Sequence, residues 1–112
     1  MQKEIKDYLE KYSIEIQTLF IEVSKIIDEV YENDIEEKLW AKLPSYYRGD
    51  KFVRIIPFKD HINVEATAVQ EYTSVLEGYK ITPKGMLQIF LDQKVPYHTL
   101  RLIFEKTLVK NR

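Results

Sequence analysis

The chain of 112 residues contains no cysteine and only two histidines. Without cysteine it has no disulfide, no thiolate metal ligand and no cysteine nucleophile. Two histidines are too few for a histidine-rich metal centre, so a bound metal would be held mainly by oxygen ligands. The three glycines lie where turns are expected, and none belongs to a phosphate-binding or dinucleotide-binding loop.

Long apolar runs are also missing. No segment approaches the roughly 20 apolar residues that a membrane-spanning helix needs, and the first residues alternate in charge where a signal peptide has an apolar block. We therefore expect a cytoplasmic protein with no membrane partner. Nucleophile-elbow and calcium-loop motifs are absent too, so we expect a protein that is not an enzyme.

Size and composition indicate a single domain over residues 1–112. A chain of this length with 45% hydrophobic residues is expected to form one core. The net charge of −1 is unevenly distributed: residues 1–37 hold eleven acids against four lysines (−7), and the remainder holds thirteen basic residues against seven acids (+6). Such a split can steer charged partners, but no dense basic stripe is present, so nucleic acid is not expected as a partner.

The N-terminal third predicts two helices. The apolar residues Ile5, Tyr8, Leu9 and Tyr12 follow helical spacing, so a short first helix should end near Tyr12. Ser13 suits the N-cap of a second helix, whose apolar stripe continues to Val30. This helix should stop close to Glu32, because Asn33 and Asp34 tolerate the left-handed backbone that closes many helices.

The middle of the chain predicts strands. Leu39, Ala41 and Leu43 alternate with Trp40 and Lys42, as in a half-buried strand that Pro44 limits. Gly49-Asp50 predicts a hairpin turn between two β-prone runs. Further strands are expected at 52–58 and 61–66, separated by a turn at Lys59-Asp60.

The remaining elements are a helix, a strand and a helix. Apolar spacing predicts a helix over about 67–77, closed by Gly78. A turn at 82–85 leads into a strand over 86–91, and Pro96 fits the first turn of a last helix. The order α-α-β-β-β-β-α-β-α predicts an α+β fold with an antiparallel sheet of about five strands covered by helices.

An acidic cluster surrounds the end of the second helix. Its candidate metal ligands are Asp28, Glu29, Glu32, Glu36 and Glu37. Carboxylate oxygens are hard ligands and suit loose binding of a divalent cation. The alternative is a plain solvated surface, since Lys25 can compensate part of this charge.

A second candidate site is basic. Lys59, Lys80 and Lys84 come from three turns or helix ends, and His61 lies close to the first of them. If the fold brings these turns together, the four residues form a cationic pocket for an anionic ligand such as phosphate or a carboxylate. The alternative is a scatter of unrelated surface lysines.

Short motifs in the order found here resemble the YdhG-like family of small bacterial domains. They are Lys42-Leu43-Pro44, Phe58-Lys59-Asp60-His61-Ile62, Tyr79-Lys80, Lys84-Gly85, Leu91-Asp92 and Pro96-Tyr97. The resemblance runs from about Glu36 to Leu108. The chain departs from the family pattern at Lys42-Leu43, at Asn63-Val64-Glu65 and at Ile89-Phe90-Leu91.

This resemblance implies a fold and a function. One branch of the family is described as frataxin-like iron chaperones, which implies a two-layer sandwich and weak binding of ferrous iron by acidic surface. It also implies iron-sulfur or haem assembly proteins as partners, and a monomer or weak homodimer. The alternative function is an anion-ligand or protein-interaction module that uses the lysine and histidine pocket.

Overall fold

The computed structural model describes residues 1–110, and its N-terminal part is helical. Helix α1 spans Lys3–Leu9 and helix α2 spans Ile14–Val30. The Ser13 hydroxyl accepts a hydrogen bond of 3.2 Å from the Ile16 N–H, so the predicted N-cap is confirmed. Beyond α2, Asn33 has a φ of 64°, the left-handed conformation expected where the helix is closed.

Six strands form one antiparallel sheet. They are β1 (Glu36–Trp40), β2 (Leu43–Arg48), β3 (Lys51–Pro57), β4 (His61–Glu65), β5 (Lys80–Ile81) and β6 (Leu87–Phe90). Their spatial order is β1-β2-β3-β4-β6-β5, and all neighbours pair antiparallel. The predicted α+β class with an antiparallel sheet is confirmed, but the sheet has six strands where about five were expected. The additional strand, β5, has only two residues, too few for alternation to reveal it.

The predicted strand over 39–43 is wrong, because the first hairpin turns inside it. Ala41 and Lys42 connect β1 to β2 with φ angles of 51° and 67°, and Trp40 pairs with Leu43 across the turn. Two consecutive positive φ angles are the pattern of the type I′ hairpin turn, whose twist matches that of the flanking strands. The alanine and lysine at these positions lack the Asn-Gly composition that normally marks such a turn.

The predicted helix over 67–77 is also wrong. This segment forms two short 3₁₀ helices, Thr67–Glu71 and Thr73–Val75. The Tyr72 N–H donates to the Val69 carbonyl and the Val75 N–H donates to the Tyr72 carbonyl, both with the spacing of three residues that defines 3₁₀ structure. Apolar residues three and four positions apart fit both helix types, so spacing alone did not distinguish them.

The helices pack against one face of the sheet. The last helix, α3, spans Tyr97–Thr107 with Pro96 at its N-cap position. One hydrophobic cluster unites α2 and α3 with the inward residues of the strands, among them Phe20, Phe104, Ile55 and Ile62. Side chains alternate across a strand, so the other residues of the strands point to the opposite side, which we call the outer face.

The helices were compared with the length and hydropathy of membrane-spanning helices. None of the helices within residues 1–110 has the length and apolar character needed to cross a membrane. The longest of them, α2, has 17 residues and buries its apolar stripe in the core.

Candidate functional site

A cleft of about 750 Å³ lies between α1, α2 and β1. Ser24 and Asp28 line it from α2, where a spacing of four residues places them on the same side of the helix. Glu37 lines it from β1. The two carboxylates therefore enter the cleft from different elements, while Lys25 and the α1 lysines lie among its other lining residues.

The two carboxylates are held close enough to repel one another. Burial raises the pKa of Asp28 above its ordinary value, and the negative charge of Glu37 raises it further, while the Met1 amino group acts in the opposite direction. Glu37 Oε1 accepts a hydrogen bond of 2.6 Å from the Gln2 N–H, which fixes its position. The arrangement favours a positive charge between the two carboxylates.

The Tyr46 hydroxyl is buried beside the same groups. Tyr46 is 0% exposed, and its hydroxyl has no hydrogen-bond partner among the residues that the structure describes. Burial and then the charge of Glu37 raise the pKa of this phenol, with Asp28 adding to the effect and Ser24 opposing it. These influences show that the hydroxyl lies near all three cleft residues. A buried hydroxyl without a partner costs about 1–3 kcal/mol, which makes it an unusual feature of a folded protein.

The Ser24 hydroxyl donates to the Ile21 carbonyl at 2.9 Å, and one Glu37 oxygen accepts from the Gln2 N–H. Both groups keep lone pairs able to accept a further hydrogen bond, but none of normal geometry joins the Tyr46 hydroxyl to either of them. The cleft is lined by two carboxylates, and the Tyr46 phenol is buried near them.

The other three predicted metal ligands lie elsewhere. Glu29 accepts hydrogen bonds from the Tyr97 hydroxyl and from Arg101 Nη1, and Glu36 pairs with Lys38 at 3.5 Å. Glu36 and Glu37 are adjacent in β1, so they point to opposite faces of the sheet. Glu32 is exposed beyond the end of α2. Within residues 1–110, no group of three or more histidine, cysteine, aspartate or glutamate side chains is arranged to hold a metal ion.

The predicted basic pocket is divided between two ends of the sheet. His61 is stacked between Phe58 and Phe90, with ring centroids 4.6 Å from each. Its Nδ1 lies 2.8 Å from Asp60 Oδ1, and this contact lowers the pKa of that carboxyl. Lys80 Nζ lies 5.6 Å from the Phe90 ring, and so the same end of the sheet holds both Lys80 and His61.

Lys59 belongs to that end, and Lys84 does not. Lys59 lies in the turn that connects β3 to β4, two residues before His61. Lys84 lies in the turn before β6, whereas His61 pairs with Phe90 at the end of β6. At about 3.3 Å per residue, the length of β6 separates them by roughly 10 Å. The ligand-binding roles of these four residues stay predictions, as do those of the five carboxylates.

Sequence reasoning missed the participation of Tyr46. Glu37 and Tyr46 are direct cross-strand partners in the first hairpin. Locating the turn at Ala41-Lys42 would have revealed this pairing, because the register of a hairpin follows from its turn.

The chain matches no protein-family model, and neither a curated protein nor a solved structure shows significant similarity to it. The resemblance to YdhG-like domains therefore stays a prediction from short motifs.

Proposed function

We propose that the protein is a non-enzymatic, frataxin-like iron-binding domain that holds a ferrous ion between Asp28 and Glu37. One observation carries this proposal: Asp28, whose pKa is raised by burial and by the charge of Glu37, lies in the cleft near a buried Tyr46 hydroxyl without a partner. A perturbed carboxylate in a cleft is typical of functional sites. A cation between them would replace their repulsion by attraction.

The chemistry of the three groups suits iron held by oxygen. Ferrous iron accepts carboxylate and phenol oxygens, and water completes its coordination when a protein supplies few ligands. Two carboxylates give a weak site, and Lys25 nearby competes for their charge. Weak binding is what a protein that delivers iron to another needs, because the ion must be released.

The fold is compatible with this function. An antiparallel sheet with helices on one face supports the frataxin-like architecture that the resemblance implies. On this proposal the domain works in the cytoplasm as a monomer or weak homodimer. Its partners are iron-sulfur or haem assembly proteins, which take the ion from the cleft.

Anaerobic calorimetric titration with ferrous iron tests the proposal through two matched sets of amide substitutions. The first set, Asp28→Asn with Glu37→Gln, removes both cleft carboxylates. The second set, Glu29→Gln with Glu32→Gln and Glu36→Gln, removes the three predicted carboxylates outside the cleft. We expect one saturable site in the wild-type protein, its loss in the first set and its retention in the second.

A third variant addresses the tyrosine. After oxidation of the bound ion in air, a tyrosine ligand produces a visible charge-transfer absorption, and Tyr46→Phe should abolish this band. The proposal is overturned if the wild-type protein shows no saturable binding, or if only the second set of substitutions removes it. Circular dichroism of each variant establishes that lost binding does not reflect lost folding.

A further inference from the structure

The outer face of the sheet carries an unusual number of rings. The residues that point to it include Trp40, Tyr47, Phe52, Phe58, His61 and Phe90. They come from β1, β2, β3, β4 and β6 and from the turn after β3, so the rings extend across the sheet. Such a platform is absent from ordinary solvent-facing sheet faces, which are mainly polar.

A positive charge lies over several of these rings. Lys38 Nζ is 4.7 Å from the Tyr47 ring, and the Arg54 guanidinium is 4.6 Å from Trp40 and 4.1 Å from Phe52. Lys80 Nζ lies over Phe90. The face therefore combines flat aromatic surfaces with cations at their edges.

Two rings of the platform are the most accessible. Trp40 is 52% exposed and Phe58 is 41% exposed. Phe58 forms one end of a stack with His61 and Phe90, the Phe58 and His61 planes being inclined by 7°. Both exposed rings present surface to which a further flat ring can stack.

The outer face and its adjoining turn also carry cations that can contact an anion. Arg54 pairs with Glu65 and Lys38 with Glu36, but within residues 1–110 no carboxylate lies within 4.0 Å of Lys80 Nζ or Lys59 Nζ. Lys59 and Lys80 are both exposed, so their charges are available for contacts with phosphate.

We propose that the outer face binds a short single-stranded nucleic acid. Its bases stack on Trp40 and Phe58, and its phosphates contact Lys80 and Lys59. Sequence-tolerant recognition of single strands combines aromatic stacking with a basic surface, and every base offers a flat face. This proposal departs from our expectation from the sequence that nucleic acid is not a partner, because the rings share one face only after the sheet is formed.

The dimensions fit a short strand. Cross-strand pairs join Ile56, Asn63, Gln88 and Lys80 in one row across β3, β4, β6 and β5, and Trp40 pairs with Leu43 in the neighbouring strands β1 and β2. Six strands at about 4.8 Å spacing span roughly 24 Å, enough for on the order of four nucleotides. Gln88 Nε2 donates to Asn63 Oδ1 at 3.2 Å, so this row also offers amide groups to base edges.

The binding of fluorescently labelled ten-nucleotide RNA and DNA, measured by anisotropy, tests the proposal. Trp40 is the only tryptophan, so its own fluorescence reports contact directly. We expect Phe58→Ala and Lys80→Ala each to weaken binding about tenfold, within the range measured for stacking residues. Affinity should fall as salt is added, because phosphate contacts release counterions.

The matched controls lie on the helical side. Lys11 Nζ lies 4.6 Å from the Tyr8 ring, and Ile14 is 72% exposed, so Lys11→Ala and Ile14→Ala remove a cation over a ring and an exposed apolar group. They should change affinity by less than about twofold. An abasic oligonucleotide should bind at least tenfold more weakly than the complete one.

Three results would overturn the proposal. The first is no binding of either oligonucleotide at low salt, and the second is equal binding of the abasic strand, which would indicate charge alone. The third is self-association of the protein that Phe58→Ala removes and oligonucleotide does not displace, which would assign the face to a second copy. Circular dichroism confirms that each variant is folded.

Discussion

At the residue scale, Asp28 shows how a charge in the cleft affects the stability of the fold. Its carboxyl is raised in pKa by burial and by the charge of Glu37, so the folded protein holds a proton at this position more tightly than the unfolded chain does. A proton bound to Asp28 therefore stabilises the folded state, and this stabilisation is complete below the ordinary pKa of 3.8. This contribution is lost as the pH rises through the raised pKa, and ionised Asp28 weakens the folded state at neutral pH.

Asp28→Asn should therefore stabilise the metal-free protein at pH 7. Because the carboxyl is largely exposed and screened by solvent, we expect a gain on the order of 0.5 kcal/mol in the free energy of unfolding. The gain should vanish as the pH falls towards 3.8, where wild-type Asp28 becomes protonated. Urea denaturation across this pH range, in the presence of a chelator, provides the measurement.

The control is Glu22→Gln, which changes an exposed carboxylate of the same helix. It should leave the pH dependence of stability unaltered. A gain for Asp28→Asn that is independent of pH would show that Glu37 does not act on Asp28 through charge. In that case the electrostatic basis of the cleft would be wrong.

Residue types were predictable in part, and their partners were not. Asp28 and Glu37 belong to the acidic cluster that the sequence indicated, because acidic residues near a helix end can be read directly from the sequence. Their separation from Glu36 depends on which face of β1 each residue occupies. A shift of one residue moves every side chain of a strand to the opposite face. An error in the predicted start of β1 therefore hides which of Glu36 and Glu37 faces the cleft.

At the scale of elements, the first hairpin is held by a turn with unfavourable residues. Ala41 and Lys42 both adopt left-handed backbone, which costs a residue with a Cβ about 1–2 kcal/mol. Asn-Gly is the preferred pair for such a turn. The native residues are tolerated because the paired strands β1 and β2 impose the conformation.

Ala41→Asn combined with Lys42→Gly should therefore raise the free energy of unfolding by about 1–2 kcal/mol. Urea denaturation measures the change. The opposite control is Gly49→Ala in the next hairpin, where φ is +64° and the added Cβ would meet, among residues 1–110, only Lys110 Cε at 3.9 Å. This change should destabilise through backbone conformation, since it creates no close contact.

A loss of stability on introducing Asn-Gly would contradict the assigned turn. It would indicate that the Ala41 or Lys42 side chain makes a contact worth more than the backbone cost. The Gly49→Ala result separates this case from a general insensitivity of the sheet to its turns.

Elements with long periodic patterns were predicted well, and short ones were not. Helix α2 has an apolar stripe over 17 residues and a serine cap, so its period and start are both determined locally. The segment at 67–77 has only five apolar positions, and its β-branched Thr67, Val69, Thr73 and Val75 disfavour an α-helix. Burial of Ala68, Val69 and Leu76 in the core then stabilises the two 3₁₀ helices.

At the scale of the whole molecule, the sheet separates two surfaces with different chemistry. The cleft, with Asp28 and Glu37, lies on the side of α1 and α2, while the rings lie on the outer face. The adjacent residues Tyr46 and Tyr47 of β2 show this division, since one is buried beside the cleft and the other points outward. Composition indicated a single core and an uneven charge distribution along the chain. Only the folded sheet shows on which side of the molecule each charged residue lies.

This separation predicts that the two proposed binding activities are independent. Charge on a bound ferrous ion acts on the outer face through the thickness of the sheet and through solvent, where the Debye length is about 8 Å at physiological salt. Asp28 shares no element with the exposed rings Trp40 and Phe58. Glu37 shares only strand β1 with Trp40. We therefore expect saturating ferrous iron to change oligonucleotide affinity by less than about twofold at 150 mM salt.

Linkage requires the converse to hold as well, so oligonucleotide should leave iron affinity unchanged within the same limits. Anaerobic anisotropy titrations with and without iron measure the first quantity, and calorimetry with and without oligonucleotide measures the second. A change above about fivefold in both, which corresponds to coupling of about 1 kcal/mol, would show that β1 transmits a rearrangement from Glu37 to Trp40.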